Sequence, residues 1–336
     1  MLFRSTLIDP AILLFFFGIL AGTLRSNLEI PPAIAKFCSL YLLLVIGFKG
    51  GLNLHATGFT AAMGWALLAA FILALAVPAW SFLVLRRRLS PFDAAAVAAT
   101  YGSVSAVTFI TAVSFAEQQG LDAGGYMAVA LVLMESPAII MAVLLANLVR
   151  SRAARQATAP AVAVVGGPGG RAPLSLRGVL HEAFTDGAHL LLLGAMAVGY
   201  LSGDAGKAVM QPFSGDLFKG MLAFFLLDMG LMVARNFEQA RKASPVLIAY
   251  AALSPVVHAA IALGLGWTLS LPAADAALLM VLSASASYIV VPAVLRYAIP
   301  EANPALYFGL SLGITFPLNI IVGIPAYTEV ARAVLG

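Results

Sequence analysis

Apolar runs of about twenty residues recur along the chain with short polar breaks between them, and that is the length a helix needs to cross roughly 30 Å of hydrocarbon. In lipid every backbone amide must be paired, which leaves helices or closed barrels. The runs are continuous and do not alternate, so they select helices. Composition agrees: 62% of the 336 residues are hydrophobic and 10% are charged, against about 25% charged in soluble domains. The sequence therefore predicts an all-α membrane protein.

Hydropathy and breakers place ten helices, near 9–25, 32–48, 59–85, 92–116, 124–149, 182–202, 211–234, 244–269, 274–298 and 304–330. Arg4 precedes the first apolar run, but no small-x-small cleavage pattern follows it, so that run is kept as the first helix. Residues 150–178 hold "GGPGG" and several arginines and read as a flexible cytoplasmic linker. They separate a first five-helix unit, 1–149, from a second, 179–336. Alternate loops divide the cations unevenly. Fourteen Lys and Arg, including Arg86, Arg87, Arg88, Arg150, Arg241 and Lys242, fall on one side, and five, including Lys49 and Lys207, fall on the other. By the positive-inside rule both termini face outward, which for a bacterial protein means a multi-pass chain in the inner membrane.

The remaining composition excludes several functions. The net charge of +4 is modest and reads as topology, with no nucleic-acid footprint. Cys38 stands alone, so no disulfide forms within the chain. His55, His181, His189 and His258 lie far apart without ligand spacing and read as interfacial or packing residues. No HExxH, paired intramembrane aspartates or Ser/His pairing at matching depth is present, so an intramembrane enzyme is not expected. Nor is a cofactor beyond a coupling ion.

Five helices per half would set two similar halves in opposite orientations. "DAAAVAATYGSVSAV" from Asp93 aligns without a gap with "DAALLMVLSASASYI" from Asp275, pairing Ser103 with Ser285 and Ser105 with Ser287. "ESP" from Glu135 falls near "TFP" from Thr315, and "LLVIGF" from Leu43 matches "LLDMGL" from Leu226. In the same order, these matches predict a 5+5 inverted repeat, the signature of secondary transporters.

The repeat explains an oddity of the fourth span, whose 99–115 stretch carries seven hydroxyls, Thr100, Tyr101, Ser103, Ser105, Thr108, Thr111 and Ser114. Small polar residues can glue packed helices together. They also line the unwound middles of discontinuous helices, where half-helix N-termini offer free N–H groups to an anion. The mirrored serines Ser283, Ser285 and Ser287 favour the second reading. Helices 4 and 9 are accordingly expected to be discontinuous, with Gly102 permitting unusual backbone angles and Pro292 breaking the ninth span. The expected substrate site comprises Gly102, Ser103, Val104, Ser105, Ala106, Thr108, Ser285, Ala286, Ser287 and Tyr288.

Ionisable groups within spans are functional candidates by default. Glu135, before Ser136 and Pro137, could bind Na⁺ or carry a proton, and Na⁺ is expected at Glu135, Ser105 and Ser287. Asp228 lies equally deep and reads either as functional or as a packing acid. Thr315 and Asn319 share a face and, with Ser283, complete the candidate coupling residues. Lys49 reads as snorkelling, and Asp93 and Asp275 as helix caps.

At "YGSVSAVT", "IGFKGG" and "SASASYIVVPAVLRYAIPEANPALYFGLSLGITFP" the chain resembles the sodium-dependent bicarbonate transporter family, with "R-x-x-IP-x-ANP" (Arg296 to Pro304) as the most specific piece. The resemblance covers nearly the whole chain. It implies a ten-helix carrier, usually trimeric, with a gate of helices 1, 2, 6 and 7 and a core of the rest. It also implies an anion at the crossing of helices 4 and 9, and a cytoplasmic docking partner similar to PII signalling proteins. Tyr288 stands where the family has an aspartate of the sodium site, and Ala286 and Ser287 retain one hydroxyl between them. Ala106 and Val107 replace a glycine and a serine. Glu135 matches an acidic position, whereas Asp228 has no counterpart. The sequence thus predicts a Na⁺- or H⁺-coupled importer of a small anion, bicarbonate first and another small carboxylate second, with a passive channel or sensor as the competing reading.

Overall fold

The computed structural model describes residues 8–135 and 186–336, with positions 137, 140, 141, 144 and 147 between them. The predicted linker, most of the second half of the fifth span and His181 lie outside the described residues. The rest is helical. In chain order the segments are α1 Pro10–Thr23, α2 Pro32–Thr57, α3 Ala61–Leu85, α4 Pro91–Gly102, α5 Ala106–Gln118 and α6 127–135. They continue with α7 Gly187–Gln211, α8 Leu217–Arg241, α9 Pro245–Thr268, α10 Ala273–Ala284, α11 Val290–Ala298 and α12 Pro304–Leu335. Six described helices are long and apolar enough to cross a membrane, and Pro10–Thr23 and Ala273–Ala284 are shorter apolar helices. The chain is a multi-pass membrane protein.

Both predicted interruptions are present. α4 ends at Gly102 and α10 at Ala284, each after twelve residues, with the aligned serines Ser103 and Ser285 as extended C-caps. α5 resumes after Ser105, and α11 only at Val290. The second break therefore precedes Pro292, which sits in the first turn of α11. There its missing N–H deprives the helix of no bond.

Two helix pairs run at close range. α1 lies along α8, and α2 along α7. A Cβ on Gly18 would strike the Leu227 carbonyl, and one on Gly230 the Phe15 carbonyl. Across the other pair, a Cβ on Gly47 or Gly51 would strike the Leu192 or Met196 carbonyl. Small residues here permit backbone contact, the packing mode that suits helices in lipid. This is why α2 runs through Gly50 and Gly51 to Thr57, beyond the predicted end at 48.

The predicted gap between the sixth and seventh helices is instead a helical path. It is kinked at Gly203 (φ 53°, ψ −143°) and passes through a π turn at Pro212–Asp216. Only glycine adopts such angles at low cost. α12 likewise carries π turns at Ser311–Thr315 and Asn319–Gly323, on either side of Pro317.

The aligned aspartates, expected as caps, reach beyond their own helices. Asp93 bonds the Ser90 hydroxyl of its own helix start, and its Oδ1 accepts from Asn303 N, ahead of α12, at 2.8 Å. Asp275 has no capping role in α10. It accepts from Gly124 N at 2.6 Å and from the Tyr126 hydroxyl, ahead of α6. Each aspartate thus ties the start of a broken helix to the entry of a helix from the other half.

Candidate functional site

The two helix breaks are bonded to each other. Ser287 N donates to the Thr100 carbonyl at 2.9 Å, and Ser105 N donates to Ser285 Oγ at 3.0 Å. Each break therefore supplies partners for the other's unwound backbone, which is what non-helical chain at membrane depth requires. Serines also open the helices that follow. Ser105 Oγ accepts from Thr108 N at 3.2 Å and from Thr108 Oγ1 at 3.0 Å, while Ser287 Oγ accepts from Val291 N at 3.3 Å. Side-chain caps satisfy one orphan donor of a helix start and leave the others in its first turn available.

Beside this crossing lies a cavity of ≈ 80 Å³. By this measure one water needs about 10–15 Å³, so the space suits a guest of a few heavy atoms. Val104, Ser105 and Ala106 border it from the first break, Ser287 and Tyr288 from the second, and Glu135 from α6. Residues of α2 and of the start of α7 also border it, and there His189 Nε2 lies 2.5 Å from Glu135 Oε2. Both side chains are buried, Glu135 at 7% and His189 at 6% exposure. Asp186 caps α7, accepting from Ala188 N and His189 N on Oδ1, and the same oxygen is 4.0 Å from His189 Nδ1. The imidazole thus stands between two carboxylates.

The family described as the Na⁺-dependent bicarbonate transporter superfamily matches residues 10–332. The chain belongs to that superfamily. Membership makes it a transport protein. No curated protein matches the chain.

For this bicarbonate-transporter superfamily member, the structure brings six of the predicted site residues to one cavity: Val104, Ser105, Ala106, Ser287, Tyr288 and Glu135. The three expected Na⁺ ligands, Glu135, Ser105 and Ser287, all border it. The other expected residues stand elsewhere. Gly102 is helical, and a Cβ there would meet the Pro78 ring at 2.5 Å, so its value is close approach to α3 and not unusual angles. Ser103 is buried with its hydroxyl unpartnered among the described residues. Thr108 and Ser285 act behind the cavity through the bonds just given. Ala286 packs in a separate apolar cluster with Tyr101 and Tyr307.

Ser283 donates its hydroxyl to Leu279 of its own helix. Thr315 bonds the Tyr101 hydroxyl at 2.6 Å and donates to the Ala251 carbonyl at 2.8 Å. Asn319 donates to the Ala284 carbonyl at 2.8 Å. Both residues fasten α12 to its neighbours, and neither borders the Glu135 cavity. Asp228 is half-buried on α8, also outside that cavity. Lys49 does not merely snorkel: its Nζ bonds both Glu117 oxygens at 3.0 Å and lies 4.7 Å over the Phe218 ring. His258 accepts from Trp80 Nε1 at 3.2 Å, in keeping with a packing role.

His189, read as an interfacial or packing residue, is the cavity residue that the sequence reading did not single out. A signal for it was present: "DPAILL" from Asp9 and "DGAHLL" from Asp186 share Asp-x-Ala-x-Leu-Leu, and both aspartates cap their helices on the second and third residues after them. That pairing sets His189 opposite the apolar Ile12, which singles it out.

Proposed function

We propose that this chain imports a small anion, bicarbonate first, coupled to Na⁺, by movement of a core against a gate. The observation that carries this reading is the small, largely apolar cavity at the mutually bonded helix breaks, bordered by Ser105 and Ser287 and by the first turns of α5 and α11. Helix starts carry partial positive charge and free amides, the chemistry that receives an anion. Conducting a lone charge through hydrocarbon is costly, so a co-bound cation lowers the cost of passage.

Ten helices in a 5+5 inverted repeat give this machine its two states. In support, the ends of α4 and α10 fall on aligned serines, and the aspartate ties from α4 to α12 and from α10 to α6 are reciprocal. Gly47 and Gly230, paired by sequence, both sit at close helix crossings. α1, α2, α7 and α8 form the gate, and the cavity lies where core residues meet it. We assign both termini to the outer side of a bacterial inner membrane from the cation bias. The homotrimer and the cytoplasmic PII-like partner follow from family likeness.

The test is uptake of radiolabelled bicarbonate into proteoliposomes with and without an inward Na⁺ gradient. Accumulation above equilibrium only with the gradient is expected. Simple equilibration would establish a passive channel, and accumulation driven by a proton gradient alone would replace Na⁺ as the coupling ion.

A further inference from the structure

Ala106, Val107 and Glu135, which carry donors and an acceptor, all border the cavity. In the first turn of α5, Thr108 N and Phe109 N are taken up by the Ser105 hydroxyl and carbonyl. The two preceding amides, of Ala106 and Val107, have no carbonyl within the helix to bond. Glu135, which borders the same cavity, offers one oxygen to His189, while its Oε1 makes no hydrogen bond with the described residues. The imidazole, held between Glu135 and Asp186, fixes the Glu135 carboxylate in place through Oε2.

We propose that the Glu135–His189 pair is a selectivity element that requires the guest to be both an oxyanion and a hydrogen-bond donor. The proposal rests on the anion occupying this cavity, as argued above. Hydrogencarbonate meets both demands: two oxygens share the negative charge and face the amides, and the third carries a hydroxyl that donates to Glu135 Oε1. Nitrate is planar, monoanionic and of nearly the same size, yet has no proton to give. With nitrate bound, Glu135 Oε1 would be left facing an oxygen lone pair. Sites built to bond a substrate hydroxyl reject the analogue that lacks it, because their own buried group is then unpaired. For one bond to a charged acceptor the discrimination is about 10- to 100-fold. Glu135 touches the guest, and His189 is the positioning residue that holds its carboxylate by a hydrogen bond.

The experiment is titration of the purified full-length protein with sodium bicarbonate and with sodium nitrate, followed by calorimetry. Wild type is expected to prefer bicarbonate by at least about ten-fold. Glu135→Met, which keeps the volume but removes the acceptor, should retain nitrate binding and bring the two affinities within about three-fold, the residue of lost discrimination. Should that variant not fold, His189→Leu serves, with lowered bicarbonate preference expected. His189→Gln, which still donates to Glu135, should restore it, a rescue that a purely structural role would not produce. A wild-type preference persisting in Glu135→Met or in His189→Leu would overturn the proposal, and so would equal loss of both anions in Glu135→Met. Failure of wild type to bind either anion would instead overturn the anion-site reading, and this inference with it.

Discussion

Replacing Ser285 and Ser103 by alanine, one at a time, sets the same chemical change at aligned positions against opposite expectations. Both serines end their helices and both are about 1% exposed. Ser285 Oγ accepts from Ser105 N at 3.0 Å and donates to the Leu282 carbonyl at 2.7 Å. Its removal strips the Ser105 amide of its acceptor, whereas Leu282 keeps the bond from Ser285 N at 3.2 Å. A buried donor left unpaired costs about 1–3 kcal/mol. On the scale of about 2–4 °C per kcal/mol found for chains of 150–250 residues, the melting temperature should fall by a few degrees. Ser103 Oγ has no partner among the described residues, so its loss removes a buried polar atom that gains nothing from staying. Ser103→Ala should lie within about 0.5 kcal/mol of wild type. Thermal unfolding of the purified protein, followed by the fluorescence of its three tryptophans, reads both. Equal destabilisation, or the larger loss at Ser103, would refute the view that the crossing is held by the Ser285 hydroxyl.

Gly51→Ala should destabilise by about 1–3 kcal/mol, because the added methyl meets the Met196 carbonyl, a backbone atom with little freedom to withdraw; the same melting experiment measures it. Tyr101→Phe should cost less than Thr315→Val. The former leaves Thr315 bonded to the Ala251 carbonyl and loses about 0.5–1.5 kcal/mol, whereas the latter strands both partners; denaturation midpoints rank the two. Lys49→Glu should slow uptake through the loss of the bond between α2 and α5, and the double swap Lys49→Glu with Glu117→Lys should recover it. Because the pair is partly exposed, its stability effect should stay below about 1 kcal/mol, so proteoliposome flux, and not melting, is the measurement that decides.

The helix breaks were readable in the sequence because hydroxyls cannot face lipid in such number without a reason, and the aligned serines gave both positions. The exact site of the second break was not readable. Proline is conspicuous in a sequence, yet Pro292 stands where an N–H would be unused, and the interruption comes from the serines before it. The length of α2 was hidden for a related reason: Gly50 and Gly51 look like a stop, and only the backbones of Gly125 and of Met196 in α7 show that they serve contact. His189 was least accessible. Its partner Glu135 lies 54 positions away, and a single imidazole carries no periodicity. Thr315 and Asn319 were read as ion-coupling residues on one face, and their partners include carbonyls of α9 and α10, which no local pattern reveals.

The cross-bonding of the two breaks also dictates an order of assembly. When the ribosome has delivered only the first half to the bilayer, the Ser105 amide and the Thr100 carbonyl lack the partners that Ser285 and Ser287 later provide, and unpaired backbone in hydrocarbon is unfavourable by several kcal/mol per group. The first half must therefore wait, sheltered by the insertion machinery or by water, until some 180 further residues have been synthesised. Severing the gene between the halves should yield two products that are degraded apart and survive only when made together.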